Sequence, residues 1–531
     1  MESIVLFILV LSLLFLGVPI AVSLGLSSII VIAFFSTDSM SSVALQLFNA
    51  SQNYTLLAIP FFILASSFMS TGGVAKRIIR FAIATVGHFR GGLAMASVLA
   101  CMLFAALSGS SPATVVAIGS IAIAGMRQVG YTKEFAAGIM CNAGTLGILI
   151  PPSIVMVVYS AATDVSVGRM FLAGVIPGIV AGLMLMAAIY VMARVKNLPK
   201  GEWQGLSEFI AGGKDAGWGL FLIIIIIGGI YGGVFTPTEA AAVAAVYAAG
   251  VALFVYRDMG PLKGVAWIEE SMPQAVRVGF IASTYAVSFY FVWLILSFFF
   301  MTETPLLSRA LVGLVPAAVI LFGYPYKKGL ANPLAFIAGF PVWGRNFGLI
   351  ARTFFPAMMH EDTRKVMVDS SKTIVMLMFI IVNALLFAHV LTSERIPQII
   401  TDWMVGMGFN WFTYLIAVNL LLLLGGQFME PSGLLLIVAP VVFPIGMALG
   451  VDPIHLGIIM VVNMEIGMIT PPIGLNLFVT SGITGMSLVQ VVKASLPFVA
   501  VLFVFLIIVT YVPIMSTWLP YSLMGPEIMV R

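Results

Sequence analysis

The chain has 531 residues, of which 61% are hydrophobic and 9% are charged. Ordinary soluble globular domains do not have this composition, and apolar runs of about twenty residues recur along the chain, so we predict an all-α polytopic membrane protein. A membrane barrel is excluded because its strands would alternate apolar and polar residues. The net charge of +4 is small, and it is the positions of Lys and Arg that predict the topology.

Residues 1–90 are predicted to be scaffold helices. The apolar stretch Ile4–Phe35 is interpreted as one retained first span, with a kink at Pro19 and the two residues before it. Leu56–Met69 crosses next. Four basic residues follow it, namely Lys76, Arg77, Arg80 and Arg90. Because basic loops stay in the cytoplasm, this loop and the N-terminus are predicted to be cytoplasmic.

Residues 91–168 are predicted to be the first of two transport halves. Its apolar part Gly91–Met126 lies between two basic segments, so it must enter the membrane and return. The polar stretch Ser108–Pro112 interrupts it almost centrally. Polar backbone at that depth needs protein or ions around it, which favours a re-entrant helical hairpin with its tip near the membrane midplane.

Residues 169–263 are predicted to be scaffold helices again. Phe221–Val234 is interpreted as an outward crossing, and Thr236 and Glu239 predict a capping box at the start of the helix that follows. Residues 264–362 are predicted to be an unusual, membrane-associated insertion. This insertion must cross an even number of times or not at all, because the basic residues after it mark the cytoplasm once more.

The second half repeats the pattern from the opposite face. We predict a scaffold or arm helix in 363–411, the second transport half in 412–482 and a C-terminal helix in 483–531. Gln427–Gly433 interrupts the apolar segment Phe412–Leu449. The segments on either side carry one basic residue at most, so this second re-entrant hairpin is predicted to enter from outside.

Each half also contains a crossing with a proline pair. A glycine precedes Pro151-Pro152 by four positions, and another precedes Pro471-Pro472 in the same way. Proline removes a backbone donor and blocks the preceding turn, so both crossings are predicted to be broken helices. Pro112 precedes Pro151 by 39 positions, and Pro431 precedes Pro471 by 40. The same order and nearly the same spacing, with opposite topology, predict the inverted repeat of a secondary transporter, with its binding site at the breaks.

Oxygen-bearing residues at these four interruptions are the candidate cation ligands, because hard cations such as Na⁺ take oxygen ligands. They are Ser108, Gly109, Ser110, Asn142, Gly144, Gln427, Glu430, Ser432, Gly467 and Thr470. A structural role stays open for them, because Ser and Thr can bond to their own helices and Asn can bridge two helices. For Glu430 and Glu465, both a functional buried carboxylate and a solvated rim position stay open.

N-terminal ends of half-helices point partial positive charge at the breaks and would hold an anionic substrate group without a full cation. The candidate substrate-binding residues lie there. They are Ser111, Thr145, Pro151, Pro152, Asn463, Pro471 and Pro472.

Two classes of function are excluded by missing motifs. The chain has no nucleotide-binding loop, so the energy for transport must come from an ion gradient or a separate subunit. It has no His-Glu-x-x-His or comparable catalytic constellation, so an enzyme is not expected. No cofactor is predicted, with Na⁺ acting as the coupling ion.

At this point several stretches match one family. The chain resembles the large membrane (permease) subunit of the tripartite ATP-independent periplasmic (TRAP) transporters. The matching stretches are Ala58–Ala65, Gly87–Ala94, Ser108–Ser110, Ile150–Ser153, Phe171–Gly174, Gly232–Ala241, Ile469–Phe478 and Thr510–Pro513. They span nearly the whole chain except Gly264–Asp362, where relatives usually have only a short loop.

The resemblance implies a sodium-coupled importer of small organic acids in the bacterial inner membrane. It implies an elevator mechanism, in which hairpins and broken helices move as one body against a scaffold. It also implies a periplasmic substrate-binding protein and a small four-helix membrane subunit, which should be a separate chain because the match starts at the N-terminus. Sodium sites in the family fall on hairpin tips and broken helices.

Two questions stay open at the level of sequence. The alternative function is a stand-alone sodium/carboxylate symporter, which would transport without a binding protein. The substrate is also undetermined, because C4-dicarboxylates, keto acids and sialic acids all fit a small organic acid.

Overall fold

The computed structural model describes residues 2–35, 39–52, 54–71, 73–301, 304–330, 332 and 334–527. In this part of the chain regular secondary structure is helical throughout, apart from one bridge between Arg90 and Lys200. The prediction of an all-α chain is therefore confirmed. The described residues form two compact units, one of which holds 250–365 together with the short segment Gly232–Val234.

The N-terminal part forms helices joined by short turns. They are α1 (Glu2–Phe15), α2 (Ile20–Phe34), α3 (Met40–Ser51), α4 (Ala58–Thr71), α5 (Val74–Val86), α6 (Gly92–Ser108), α7 (Ser111–Gln128), α8 (Lys133–Ala143), α9 (Ile154–Thr163), α10 (Val167–Val195), α11 (Gly205–Ile223), α12 (Gly229–Tyr231) and α13 (Pro237–Gly250). A 3₁₀ segment, Gly144–Ile148, follows α8.

The N-terminal stretch is two helices, so the prediction of a single kinked span over Ile4–Phe35 is wrong. Helix α1 ends before Gly17, which adopts a left-handed φ of 81°. Pro19 then starts α2, and the two helices pack against each other. Glycine in the left-handed region followed by proline ends one helix and starts another, so the chain turns here instead of bending.

The predicted crossing Phe221–Val234 is also wrong in its limits, because a helical stretch runs from Gly205 to Tyr231. Charged residues in its first turns do not prevent this, since they are paired. Arg80 of α5 lies 2.6 Å from the Glu208 carboxylate and also pairs with Asp215. The capping box before α13 is confirmed, with the Glu239 N–H donating to Thr236 Oγ1 and the Thr236 N–H donating to Glu239 Oε2.

The unit that contains 250–365 is built around two long apolar helices. It comprises α14 (Gln274–Phe300), α15 (Leu306–Lys327) and α16 (Phe340–Met359). Helices α14 and α15 pack against each other, and each has a stretch long and apolar enough to cross a membrane. The number of crossings itself stays a prediction.

The C-terminal part repeats the helix–break–helix pattern. Its helices are α17 (Glu361–Ser393), α18 (Ile396–Gly406), α19 (Trp411–Gly426), α20 (Pro431–Ala448), α21 (Pro453–Gly467), α22 (Leu475–Thr484), α23 (Leu488–Tyr511) and α24 (Ile514–Met524). Both predicted hairpins are present as packed helix pairs, α6 with α7 and α19 with α20. Both predicted breaks are present too, between α8 and α9 and between α21 and α22.

Candidate functional site

The tip of the first hairpin packs directly on the first break. Gly109 ends α6 with a φ of 58°, and a Cβ on it would come within 2.7 Å of the Pro152 carbonyl oxygen. A Cβ on Gly147 would meet the Ser110 carbonyl oxygen at 2.6 Å. Glycine at these two positions therefore allows the two irregular backbones to touch. Pro151 and Pro152 are buried, and the peptide bond between them is cis.

Ser108 and Thr114 hold the first tip in shape. Their hydroxyl oxygens are 2.8 Å apart, and Thr114 Oγ1 donates to the Ser110 carbonyl at 2.9 Å. Among the described residues, only the backbone of Ser110 takes part in the hydrogen bonds of the tip, and its side-chain hydroxyl does not. Of the predicted serines, Ser108 is thus used in building the tip, whereas the hydroxyl of Ser110 is available to a ligand.

The first break carries the predicted residues Asn142, Gly144 and Thr145 in a fully buried position. The Asn142 side-chain amide donates to the Gly138 carbonyl at 2.8 Å, while its Oδ1 has no partner among the described residues. Gly144 lies against Val115 of the hairpin, where a Cβ would meet Val115 Cγ2 at 2.1 Å. An unpaired buried oxygen is costly, so Asn142 Oδ1 is a strong candidate for a bound cation or donor.

The second half shows the same close approach between tip and break. A Cβ on Gly467 would come within 2.7 Å of the Gly426 Cα. The Gly474 N–H donates to the Gln427 carbonyl at 3.2 Å. The Thr470 hydroxyl donates to the Ile466 carbonyl in the last turn of α21 at 2.7 Å. This is the structural role that the sequence left open for Thr470. Pro471 and Pro472 are exposed, unlike the prolines of the first break, and their peptide bond is also cis.

Asn463, a predicted substrate ligand, is fully buried in α21. Its side-chain amide donates to Asn419 Oδ1 at 2.7 Å and to the Ile459 carbonyl at 2.8 Å. Its own Oδ1 has no partner among the described residues. Asn463 therefore bridges two helices with its amide and keeps one acceptor oxygen free.

Glu430 caps the helix that follows the second tip. Its Oε1 accepts from the Ser432 hydroxyl and its Oε2 from the Gly433 N–H, each at 3.0 Å. Both predicted residues, Glu430 and Ser432, therefore have a clear structural task. A carboxylate has further lone pairs, so the Glu430 oxygens could bind a cation while they cap the helix.

Replacing Glu430 by alanine is expected to destabilise the protein by about 1 kcal/mol, because the start of α20 loses its cap. The change is measured as a lower midpoint of thermal unfolding of the purified protein. Glu430→Asp is the matched control and should keep the midpoint, since Asp is a good N-cap residue. If Glu430→Ala unfolds like the wild type but loses its response to Na⁺, the carboxylate acts as a ligand and not as a cap.

Several side-chain contacts join the two halves of the chain, and two of them connect side chains near the tips and breaks. Thr145 Oγ1 lies 2.7 Å from Glu465 Oε1 and also 2.7 Å from the Asn142 carbonyl oxygen, so two acceptors face its single hydroxyl proton. The Asn476 amide donates to Ser111 Oγ at 2.7 Å. Two predicted substrate ligands, Thr145 and Ser111, are therefore engaged in contacts between the repeats. All four side chains are buried, so these contacts hold the two tips and breaks in one assembly.

Sequence reasoning missed the role of Asn476 and did not decide that of Glu465. Glu465 is 0% exposed, so its place is not at a solvated rim. Asn476 lies in the family-like stretch Ile469–Phe478 and is a polar residue in an apolar context, a signal that could have identified it. Its Oδ1, like Glu465 Oε2, has no partner in the described part of the chain.

Comparison with known proteins decides the family. The family described as Tripartite ATP-independent periplasmic transporter, DctM component, matches residues 7–325 and 336–515. The chain belongs to this family. The resemblance found in the sequence is thereby confirmed, and the chain is a multi-pass membrane protein of a transporter family and not an enzyme.

Three relatives show how close the match is. The C4-dicarboxylate TRAP transporter large permease protein DctM of Vibrio cholerae is 59% identical over 527 residues, which are 99% of each chain. The protein of the same name from Pseudomonas aeruginosa is 52% identical over 94% of this chain and 93% of that protein. The isethionate TRAP transporter permease protein DctMQ of Oleidesulfovibrio alaskensis is 33% identical over 94% of this chain and 63% of its own length.

The first of these relatives also bears on residues 264–362. An alignment that covers 99% of both chains must include this region, so the region is shared with that relative and is not particular to this chain. The assignment of the predicted segments to scaffold and transport parts stays a prediction.

Proposed function

We propose that the chain is the permease subunit of a Na⁺-coupled importer of C4-dicarboxylates in a bacterial inner membrane. The observation that carries the substrate class is the 59% identity, over 99% of both chains, to a permease named for C4-dicarboxylates. Relatives named for isethionate and sialic acid are only 33% and 28% identical. The family alone therefore does not determine the substrate, whereas the degree of identity favours a four-carbon diacid.

The proposed partners follow from family membership. The substrate would be delivered by a periplasmic binding protein, and a small membrane subunit would complete the transporter. The N-terminus is proposed to lie in the cytoplasm on the evidence of the basic residues Lys76, Arg77, Arg80 and Arg90.

The geometry supports Na⁺ coupling and an elevator movement. Among the described residues, buried oxygens without partners lie at or near both breaks, namely Asn142 Oδ1, Asn463 Oδ1, Glu465 Oε2 and Asn476 Oδ1. Three of them are neutral amide oxygens and one belongs to a carboxyl group, and oxygen ligands of these kinds suit a hard cation. Each tip packs on its own break, and hydrogen bonds such as Thr145–Glu465 and Asn476–Ser111 join the halves. Such an assembly is suited to move as one body.

The proposed function is tested by reconstituting the chain with its small subunit and binding protein in proteoliposomes. Succinate uptake should require an inward Na⁺ gradient and should fail with K⁺ in its place. Sialic acid at the same concentration serves as the control substrate. Uptake without the binding protein would favour the stand-alone symporter, and uptake of sialic acid instead of succinate would refute the substrate class.

Ser110→Ala is expected to weaken the Na⁺ dependence of this uptake, with a higher half-saturating Na⁺ concentration at similar protein yield. Its hydroxyl takes no part in the bonds that shape the tip, so its loss leaves the architecture intact. Ser108→Ala is the contrasting variant, because it removes the contact with Thr114 and should lower yield as well. An unchanged Na⁺ response in Ser110→Ala would remove this hydroxyl from the cation site.

A further inference from the structure

A polar cavity of about 400 Å³ lies in the unit that contains 250–365. Its lining comes from two nearby segments of chain, 256–258 and 263–267. The candidate membrane span Pro237–Val255 ends directly before the first segment, and Gln274–Ser297 begins shortly after the second. The cavity therefore belongs to a short connection between two apolar helices.

Arg257 is the buried centre of this lining, with 2% of its surface exposed. Its guanidinium donates to the Phe254 carbonyl at 3.2 Å, to the Val265 carbonyl at 3.2 Å and to Asn346 Oδ1 at 2.8 Å. Its Cζ lies 4.3 Å from the centre of the Trp267 ring. These partners fix the guanidinium in place, but each of them is neutral.

No carboxylate of the described residues forms an ion pair with Arg257. Another cation, Arg345, donates to the Ala266 carbonyl of the same lining at 3.2 Å and is itself paired with Glu269. The lining adds a second cation, Lys263, which is exposed, and one acidic residue, Asp258. A buried charge without a counter-ion is costly, so an anion bound beside Arg257 would stabilise it.

We propose that this cavity binds the phosphate group of an anionic phospholipid. A guanidinium with N–H groups left to donate, together with an ammonium at the rim, is the usual protein environment of a phosphate. Tyr256 and Trp267 are residues that favour the level of lipid headgroups. The distribution of basic residues places this connection in the cytoplasm, where the membrane leaflet carries anionic lipids. The inference does not depend on the transported substrate.

The experiment measures lipid binding to the purified full-length chain in detergent by native mass spectrometry. Phosphatidylglycerol is the anionic probe, phosphatidylcholine is the zwitterionic probe with the same phosphate, and inorganic phosphate is added as a soluble competitor. We expect saturable binding of phosphatidylglycerol and roughly tenfold weaker binding in Lys263→Glu, since a cation near the surface is replaced by an anion. Lys493→Glu changes another exposed lysine in the same way and should bind like the wild type.

Arg257→Gln should not bind phosphatidylglycerol at all. Because this substitution is buried and could prevent folding, the exposed variant Lys263→Glu provides a second test that does not disturb the interior. Wild-type affinity in Lys263→Glu would place the lipid elsewhere and overturn the proposal. Equal binding of phosphatidylcholine would contradict recognition of an anionic lipid. Displacement of phosphatidylglycerol by millimolar or lower inorganic phosphate would show that the site takes soluble phosphate, and the lipid assignment would be wrong.

Discussion

Substituting Gly147 by alanine is expected to reduce dicarboxylate uptake by roughly tenfold or more, while the protein still inserts into the membrane. The added Cβ would lie 2.6 Å from the Ser110 carbonyl oxygen and 2.8 Å from Thr114 Oγ1. Neither the backbone nor this hydrogen-bonded hydroxyl can move without opening the first tip. Overpacking of this kind costs about 1–3 kcal/mol of stability. Here it would weaken the contact between the first tip and the first break. The measurement is initial uptake rate in proteoliposomes, normalised to inserted protein.

The matched control is Gly119→Ala, in helix α7 of the same hairpin. A Cβ there meets its nearest atoms at 3.8 Å, which is ordinary contact. Alanine is also about 1 kcal/mol better than glycine in a helix interior. This variant should therefore transport like the wild type and unfold at the same or a slightly higher temperature. Equal uptake by the two variants would show that close packing of tip on break is not needed for transport.

Glu465→Leu is expected to abolish most of the uptake, because it removes the acceptor that joins Thr145 of the first break to the second broken helix. Leucine is similar in size and apolar, so the fold of this fully buried site should survive. Glu465→Gln keeps an amide oxygen that can accept from Thr145 and should retain considerably more activity. Uptake and the midpoint of thermal unfolding are measured side by side, so that a loss of transport can be separated from a loss of protein.

Thr145→Val tests the same contact from the other side. If the hydrogen bond is what matters, Thr145→Val and Glu465→Leu should not add in the double variant, since each alone already removes the contact. Thr163→Val is the control, because the Thr163 hydroxyl donates to the Tyr159 carbonyl of its own helix. Additive losses of uptake in the double variant would mean that Glu465 and Thr145 act separately. Their contact would then not be the one that couples the two halves.

Local chemistry determined much of this architecture from sequence alone. The two breaks were predictable because Pro-Pro after glycine cannot continue a helix whatever surrounds it. The two hairpins were predictable because a polar stretch in the middle of an apolar segment must be the turn between two helices. The capping box at Thr236 and Glu239 was predictable for the same reason, since its bonds span only three positions.

Other features were decided only by the tertiary structure. Gly17 and Pro19 explain locally why one helix ends and the next begins, whereas the packing of α1 against α2 is seen only in the structure. Arg80 pairs with Glu208 in the first turns of α11, and no local pattern indicates this contact because the two residues are 128 positions apart. Thr145 meets Glu465 across 320 positions, and Ser111 meets Asn476 across 365. Local sequence patterns predict the backbone conformation of a segment, because the interactions that determine it are only a few positions apart. Side-chain partners hundreds of positions apart depend on how distant segments pack, so only the tertiary structure shows them.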